Sequence, residues 1–217
     1  MLKRLFGTST QSSLVTSAFR EFSDMLQRGA EMHDLAMAAL LDNTPLAVNL
    51  DAMDDLIDNG EASIRRAVLE HLSLNPRKDL VASLVLISMV QDAERIGDFA
   101  RGLGELPRLA RSRRGGVFAD ELRRLDVRIR PLFDTCASAF RADDVNKARE
   151  VVETHPLIKA ELADFIDKLA TSDLSADMAI VYAAAARILQ RISAHLSNIA
   201  SSVVQPFDRI RHDDEEA

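Results

Sequence analysis

The stretch Asp92-Ala93-Glu94-Arg95-Ile96-Gly97-Asp98 lies inside a long apolar segment, residues 80–109, whose spacing predicts a single helix. Glu94 and Asp98 are four residues apart, so a helix places both carboxylates on one face, about one turn apart. A bare charge is too costly to bury, so acids on a partly apolar face must be ion-paired, hydrogen-bonded or metal-bound. This short stretch therefore predicts both a helix and a chemically distinct face on it.

Two other residues of the stretch suggest how that face is used. Arg95 points about 100° away from the acids on a helix, so it is not expected to pair with them. Gly97 weakens a helix by about 1 kcal/mol relative to alanine. A glycine retained at that cost indicates that another backbone approaches the helix closely at this point.

The rest of the chain has the same helical character, and six long helices are predicted. The sequence of 217 residues is 47% hydrophobic, with no Trp, one Tyr, 8 Gly and 6 Pro, a composition poor in strand formers and turn residues. Pro45 fits the first turn of the second helix, and Asp144 and Ser175 are N-cap candidates for the fifth and sixth. The helices are predicted at about 14–41, 45–72, 80–109, 118–140, 145–169 and 176–204.

The six helices divide into two repeats of three. Residues 94–98 align with Gln190-Arg191-Ile192-Ser193-Ala194 at an offset of 96, and Asp54 aligns approximately with His155. The arginine and isoleucine recur, but Gln190 and Ala194 replace the two acids. The predicted fold is all-α, with two tandem three-helix bundles. The divisions are an N-terminal segment 1–12, a first repeat 13–110, an arginine-rich linker 111–116, a second repeat 117–207 and an acidic tail 208–217.

Charge and composition exclude several classes of protein. The net charge of −7 is unfavourable for nucleic acid binding. No apolar run is long enough to span a bilayer, so any membrane association should be peripheral. The single cysteine, Cys136, fits a reducing compartment and an inert place in the core. The sequence contains no nucleophile–base pair, phosphate-cradling glycine loop or nucleotide fingerprint, so an enzyme is not expected.

At Glu94–Asp98 the sequence resembles the PhoU family, whose helices carry a Glu-Arg-Ile-Gly-Asp motif once in each three-helix repeat. His195, Asn198, Ile199 and Ala200 resemble the continuation of the family's second motif. The resemblance extends over about residues 13–207. It implies a cytoplasmic regulator of phosphate uptake that acts with subunits of a phosphate ABC transporter, or of a related phosphate transporter, and with a sensor histidine kinase.

The resemblance also implies that the acidic motif can hold iron or zinc. Acids on facing helices are how metal sites are built in helical bundles. We therefore expect metal at the first repeat only, because Gln190 and Ala194 offer no charged oxygen in the second. The candidate ligands are Glu94 and Asp98 from the third helix and Asp54, Asp58 and Glu61 from the second. The alternative to metal binding is that these acids pair with arginines or are solvated.

Two other functions remain open from the sequence. One is a metal-binding helical bundle with a redox or storage role, and the other is an accessory subunit of a different ion transporter. The alanine-rich face of the sixth helix, residues 183–186, permits a homodimer. The function that the resemblance to the PhoU family implies, and that we expect first, is a phosphate-regulating adaptor that works through protein contacts.

Overall fold

The computed structural model describes residues 13–205 and contains six long α-helices in that range. The helices are α1 Ser13–Leu41, α2 Leu50–Leu74, α3 Leu80–Glu105, α4 Val117–Ala142, α5 Val145–Ala170 and α6 Ala176–Val204. A 3₁₀ turn at Leu106–Leu109 follows α3. The predicted segment 1–12 and acidic tail 208–217 lie outside the described residues.

The all-α class and the six helices are confirmed, but the start of the second helix was predicted wrongly. Pro45 lies in the loop before α2, and Asn49 is the N-cap. The Asn49 side chain accepts the backbone N–H groups of Asp51 at 3.0 Å and Ala52 at 3.4 Å. A helix begins where its first free N–H groups find an acceptor, and Asn49 supplies one where Pro45 cannot. The same arrangement occurs at α5, where Asp144 accepts from Asn146 at 3.0 Å, as predicted.

The two repeats pack side by side and share one hydrophobic core. Helices α1–α3 contact one another, as do α4–α6, and the repeats meet along α3 against α6 and α1 against α4. The buried apolar residues of all six helices form a single cluster. At the α1–α4 contact, Phe22 lies 4.6 Å from Phe140 between ring centroids. Cys136 is fully buried in this core, and its thiol donates to the Leu196 carbonyl at 3.4 Å.

The linker is anchored to both repeats through Arg114 and Gly115, while Arg111 and Arg113 are exposed. The Arg114 guanidinium donates to the carbonyls of Leu40 at 2.9 Å and Ala39 at 2.8 Å, which satisfies free acceptors at the end of α1. The Gly115 N–H donates to the Tyr182 hydroxyl on α6 at 3.0 Å. The bend between the repeats therefore has a defined geometry. None of the helices over residues 13–205 has the length and hydropathy needed to cross a bilayer.

A buried polar network joins α3 to α6. Asp92 Oδ1 lies 2.9 Å from His195 Nδ1 and accepts the Asn198 side-chain N–H at 3.0 Å. All three residues are at most 3% exposed. His195 also stacks on Phe99, with ring centroids 5.5 Å apart. Because Asp92 comes from one repeat and its partners come from the other, the network links the two bundles through the middle of the molecule.

The first testable prediction concerns this network. Replacing Asp92 with Ala removes the acceptor that buried donors on His195 and Asn198 share, and each buried donor left without its acceptor costs about 1–3 kcal/mol. Urea denaturation should show a decrease of that size in the free energy of unfolding.

The matched control is Asp134→Ala, which removes a carboxylate that is 82% exposed and paired with Arg130. An exposed pair contributes at most about 1 kcal/mol. Equal effects from the two substitutions would contradict the role assigned to the network.

Candidate functional site: the acidic face of the first repeat

The structure brings all five predicted acids together on the surface formed by α2 and α3. The charges of Asp58, Glu61 and Asp98 each act on Glu94, and those of Asp58 and Asp98 act on Asp54. The α2 members lie on successive turns of that helix, facing the turn of α3 that carries Glu94 and Asp98. We call these five residues the acidic cluster.

The residues of the cluster range from buried to exposed. Asp54 is 5% exposed, whereas Asp58 is exposed. The side chains of Glu94 and Asp98 are 20% and 31% exposed. The face of α3 that carries Glu94 and Asp98 is therefore partly apolar, as expected, and partly exposed to solvent.

Arginines from α3 occupy the cluster. The Arg101 guanidinium lies 3.0 Å from Asp54 Oδ2 and donates to Asp98 Oδ1 at 2.8 Å, so it bridges the two helices. Arg95 was expected to point away, but its guanidinium lies 3.6 Å from Glu94 Oε2 and 3.4 Å from Asp98 Oδ2. A long arginine side chain can reach around the helix from a Cα on a neighbouring face. Arginine pairing, one of the two readings of these acids, is therefore present.

Gly97 allows α2 to approach closely, although side chains make the approach rather than backbone. A Cβ at position 97 would lie 2.8 Å from Ile57 Cδ1 and 2.9 Å from Asp54 Oδ1. Ile57 is fully buried, so the space that Gly97 leaves is filled by the core and by the buried acid. The absence of a side chain at this position is what lets Asp54 lie against α3.

Burial and mutual repulsion weaken the acidity of the cluster. Desolvation first, and then the Asp98 charge, raise the pKa of Glu94 to about 7. Desolvation also raises the pKa of Asp54 to about 6, against the opposing effect of Arg101. The pKa of Asp58 is raised for the same reason, with Asp98 the largest charge acting on it. Even with Arg95 and Arg101 present, and with Arg65 paired with Glu61 at 2.6 Å, the raised pKa values show that the site still favours additional positive charge or protons.

The corresponding surface of the second repeat is built differently. His155, which aligns with Asp54, is likewise buried, and its Nδ1 lies 2.9 Å from the Ser193 hydroxyl. Ser193 stands at the position of Gly97, since 193 − 96 = 97. Lys159 and Leu162 occupy the places of Asp58 and Glu61 at the offset of His155 from Asp54. The acidic chemistry is thus confined to the first repeat.

Two features of the site escaped sequence analysis. Arg101 follows Asp98 by three residues and could have been recognised as a partner on the same helix face. Asp92 was quoted in the motif without a role, although an acid in an apolar stripe predicts a buried partner. Its partner His195 lies buried between the repeats.

The donor set of the cluster suits some metals better than others. Hard cations prefer carboxylate oxygens, and carboxylates with histidine hold iron in helical bundles, whereas zinc sites usually include His or Cys. Asp54 Oδ1 is buried without a hydrogen-bond partner, which leaves one oxygen available to a cation. Within residues 13–205, however, no three His, Cys, Asp or Glu side chains are placed to hold one ion together. Arg101 would therefore have to withdraw for a metal to bind, and metal ligation stays a prediction.

Comparison with known proteins finds a family match that covers most of the first repeat. Residues 22–106, which contain α2, α3 and the acidic cluster, match the PhoU domain. The first repeat therefore resembles a PhoU domain. The resemblance predicted from the motif is thereby confirmed. No curated protein matches the sequence.

Two solved structures share the fold over most of the chain. One is PhoU from Pseudomonas aeruginosa, with a TM-score of 0.82, 22% identity, and coverage of 88% of this chain and 96% of that chain. The other is the phosphate transport system regulatory protein PhoU from Streptococcus pneumoniae, with a TM-score of 0.79, 18% identity, and coverage of 88% and 93%. The chain therefore has the PhoU fold across both repeats, including the second one with its altered motif.

A second prediction tests the close contact at Gly97. Gly97→Ala should destabilise the protein by about 1–2 kcal/mol, because overpacking of a filled core outweighs the better helix propensity of alanine. The matched control is Gly102→Ala in the same helix, where the added Cβ meets only Ile188 Cδ1 at 3.9 Å. The control should be neutral or stabilising by up to about 1 kcal/mol. Urea denaturation of both variants measures the difference, and equal effects would disprove the contact.

A third prediction follows from the raised pKa of Glu94. The folded state binds the Glu94 proton more tightly than the unfolded state, so this residue's contribution to stability falls as the pH rises from about 4.5 to about 7. Glu94→Gln is neutral throughout. In metal-free buffer, the free energy of unfolding of this variant should increase relative to that of the wild type across that pH range. Above pH 7 the variant should be more stable by about 1–3 kcal/mol. Glu153→Gln, an exposed change on α5, is the control and should show no such trend; a flat difference for Glu94→Gln as well would contradict the burial argument.

Proposed function

We propose that this chain is a cytoplasmic regulator of phosphate uptake and phosphate-responsive signalling that acts through protein–protein contacts. The observation that carries the proposal is the match to the PhoU domain at residues 22–106 in a chain with the PhoU fold over 88% of its length. One of the matched structures is named a phosphate transport system regulatory protein. The partners proposed are subunits of a phosphate ABC transporter or a related phosphate transporter, and a sensor histidine kinase.

The architecture supports an adaptor rather than an enzyme. Long helices present extended surfaces, and the acids of the cluster are paired with Arg95, Arg101 and Arg65. The core is filled by apolar side chains from all six helices. Purified protein should therefore show only background phosphatase, ATPase and oxidase activity.

The fourth prediction is loss of phosphate control on deletion of the gene. Alkaline phosphatase activity and phosphate uptake should both rise above wild-type levels at high external phosphate. Complementation with the wild-type chain and with Gly102→Ala should restore control, which shows that the effect belongs to this protein. Unchanged phosphate handling, with altered uptake of another ion, would instead support an accessory subunit of a different transporter.

We also propose that the acidic cluster binds a hard cation, with iron favoured over zinc, at the first repeat only. This second function is supported by the unpaired Asp54 oxygen and by the raised pKa values of Asp54 and Glu94, since a cation would relieve their repulsion. Glu94 and Asp98 would be the principal ligands, completed by Asp54, Asp58 or Glu61. Bound metal would stabilise the folded chain by mass action.

The fifth prediction tests the location of this metal. Replacing Glu94 and Asp98 with Ala should remove bound iron from protein purified after metal loading, as measured by elemental analysis. Thermal melts of the metal-free double variant should be as high as the wild type or higher, because repelling acids have been removed. Gln190→Ala in the second repeat is the control and should keep its metal. Metal retained in full by the double variant would place the site elsewhere.

A further inference from the structure

The tip of the α2–α3 hairpin carries an exposed apolar patch with basic residues beside it. We define the hairpin tip as residues 74–84. Within it Leu74 is 71% exposed, Leu80 40% and Val81 39%. Arg77 and Lys78 are exposed between the two helices. Large aliphatic side chains concentrated at one turn differ from the scattered apolar residues that any protein surface carries.

Hydrogen bonds brace the tip, and one of them comes from a buried histidine. His71 is 1% exposed, and its Nε2 donates to the Lys78 carbonyl at 2.9 Å. The Lys78 N–H donates to the Asn75 carbonyl at 3.0 Å, which closes the turn. Asp79 adopts a left-handed backbone with φ of 53°, and this directs the chain into α3. The exposed leucines therefore lie on a turn whose backbone is stabilised by hydrogen bonds.

The charges around the tip are arranged with the basic groups outward. The two acids nearby are Glu70, which is exposed on α2, and Asp79, whose side chain is 12% exposed and lies 3.6 Å from His71 Nε2. Arg77 and Lys78 have no acidic partner among the ion pairs of residues 13–205. In a chain with a net charge of −7, this tip is a local positive site.

The equivalent turn of the second repeat lacks these properties. The α5–α6 connection, Thr171-Ser172-Asp173-Leu174-Ser175, contains no basic residue, and its leucine is half-buried. Leu174 packs against the core rather than projecting from it. The apolar and basic tip is therefore a feature of the first repeat and does not follow from the repeat plan itself.

We propose that the hairpin tip docks on an anionic lipid surface, with Leu74, Leu80 and Val81 entering the interfacial region and Arg77 and Lys78 meeting lipid phosphates. A stable protein interface needs about 20–30 residues a side. A helical turn with four exposed aliphatic side chains, Leu84 being the fourth, offers far less, but it suits shallow insertion with basic residues at the headgroups. The proposal does not depend on phosphate regulation, since it concerns only the chain and lipid.

Vesicle co-sedimentation of the full chain tests this directly. The protein should bind vesicles of phosphatidylcholine with phosphatidylglycerol, bind weakly to phosphatidylcholine alone, and lose affinity at high salt. The double variant Arg77→Gln/Lys78→Gln should bind the anionic vesicles about 25-fold more weakly, at about fivefold per charge. Leu74→Ser should reduce the affinity for these vesicles about tenfold.

Matched controls separate the tip from other basic or apolar surfaces. Arg111→Gln/Arg113→Gln changes two exposed arginines at the opposite end of α3, about 39 Å away along the helix. Leu157→Ser changes a leucine on α5 that is 59% exposed. Both controls should bind as the wild type does.

Three results would overturn the proposal. They are no binding to anionic vesicles, binding that the tip variants leave unchanged, and binding that the Arg111 and Arg113 changes abolish instead. Circular dichroism of the tip variants should match the wild type, because the substituted side chains are exposed. Failure of the deletion test for phosphate regulation would leave the vesicle result unaffected, so the two failures are distinguishable.

Discussion

The buried carboxylate of Asp92 requires partners from the other repeat, and this requirement determines how the two bundles pack. An acid at the centre of an apolar helix contact is costly unless it is hydrogen-bonded, and His195 and Asn198 provide the bonds from α6. Interdigitated apolar side chains already favour certain helix registers, and a network of three polar residues that is satisfied in one register adds a further constraint. The continuous core and the placement of both repeats depend on that register.

The same contact shows how the two repeats have diverged from a common plan. At the offset of 96 residues, Asp92 corresponds to Ile188 and Asn198 corresponds to Gly102. In the structure, Asn198 bonds to Asp92, while the Ile188 Cδ1 lies 3.9 Å from where a Gly102 side chain would begin. The contact between α3 and α6 is therefore polar where Asp92 meets Asn198 and apolar where Gly102 meets Ile188. The two repeats also differ on the outer face. In the first repeat Asp54 lies against Gly97, whereas in the second repeat His155 lies within hydrogen-bond distance of Ser193.

Local patterns in the sequence were sufficient for the helices and for the composition of the acidic cluster. Acids at helical spacing on α2 and α3 come together because one helix packs on the other, and periodicity already identifies the packed faces. The start of α2 was missed because it depends on whether Asn49 or Pro45 satisfies the first N–H groups. The pairing of Arg101 with Asp98 could have been read from their spacing on α3. The contact of Arg101 with Asp54 and the role of Asp92 depend on partners in other helices, and no spacing within one helix specifies those partners.

A rigid two-repeat bundle with one charged face is well suited to binding other proteins, and the central claim is that its partner is a phosphate transporter. An affinity pull-down from detergent-solubilised membranes, with this chain as bait, tests the claim most directly. We predict recovery of a phosphate permease or its ATPase subunit, identified by mass spectrometry and absent when an unrelated helical bundle is the bait. Reproducible recovery of a transporter for a different ion, with no phosphate transporter present, would contradict the account.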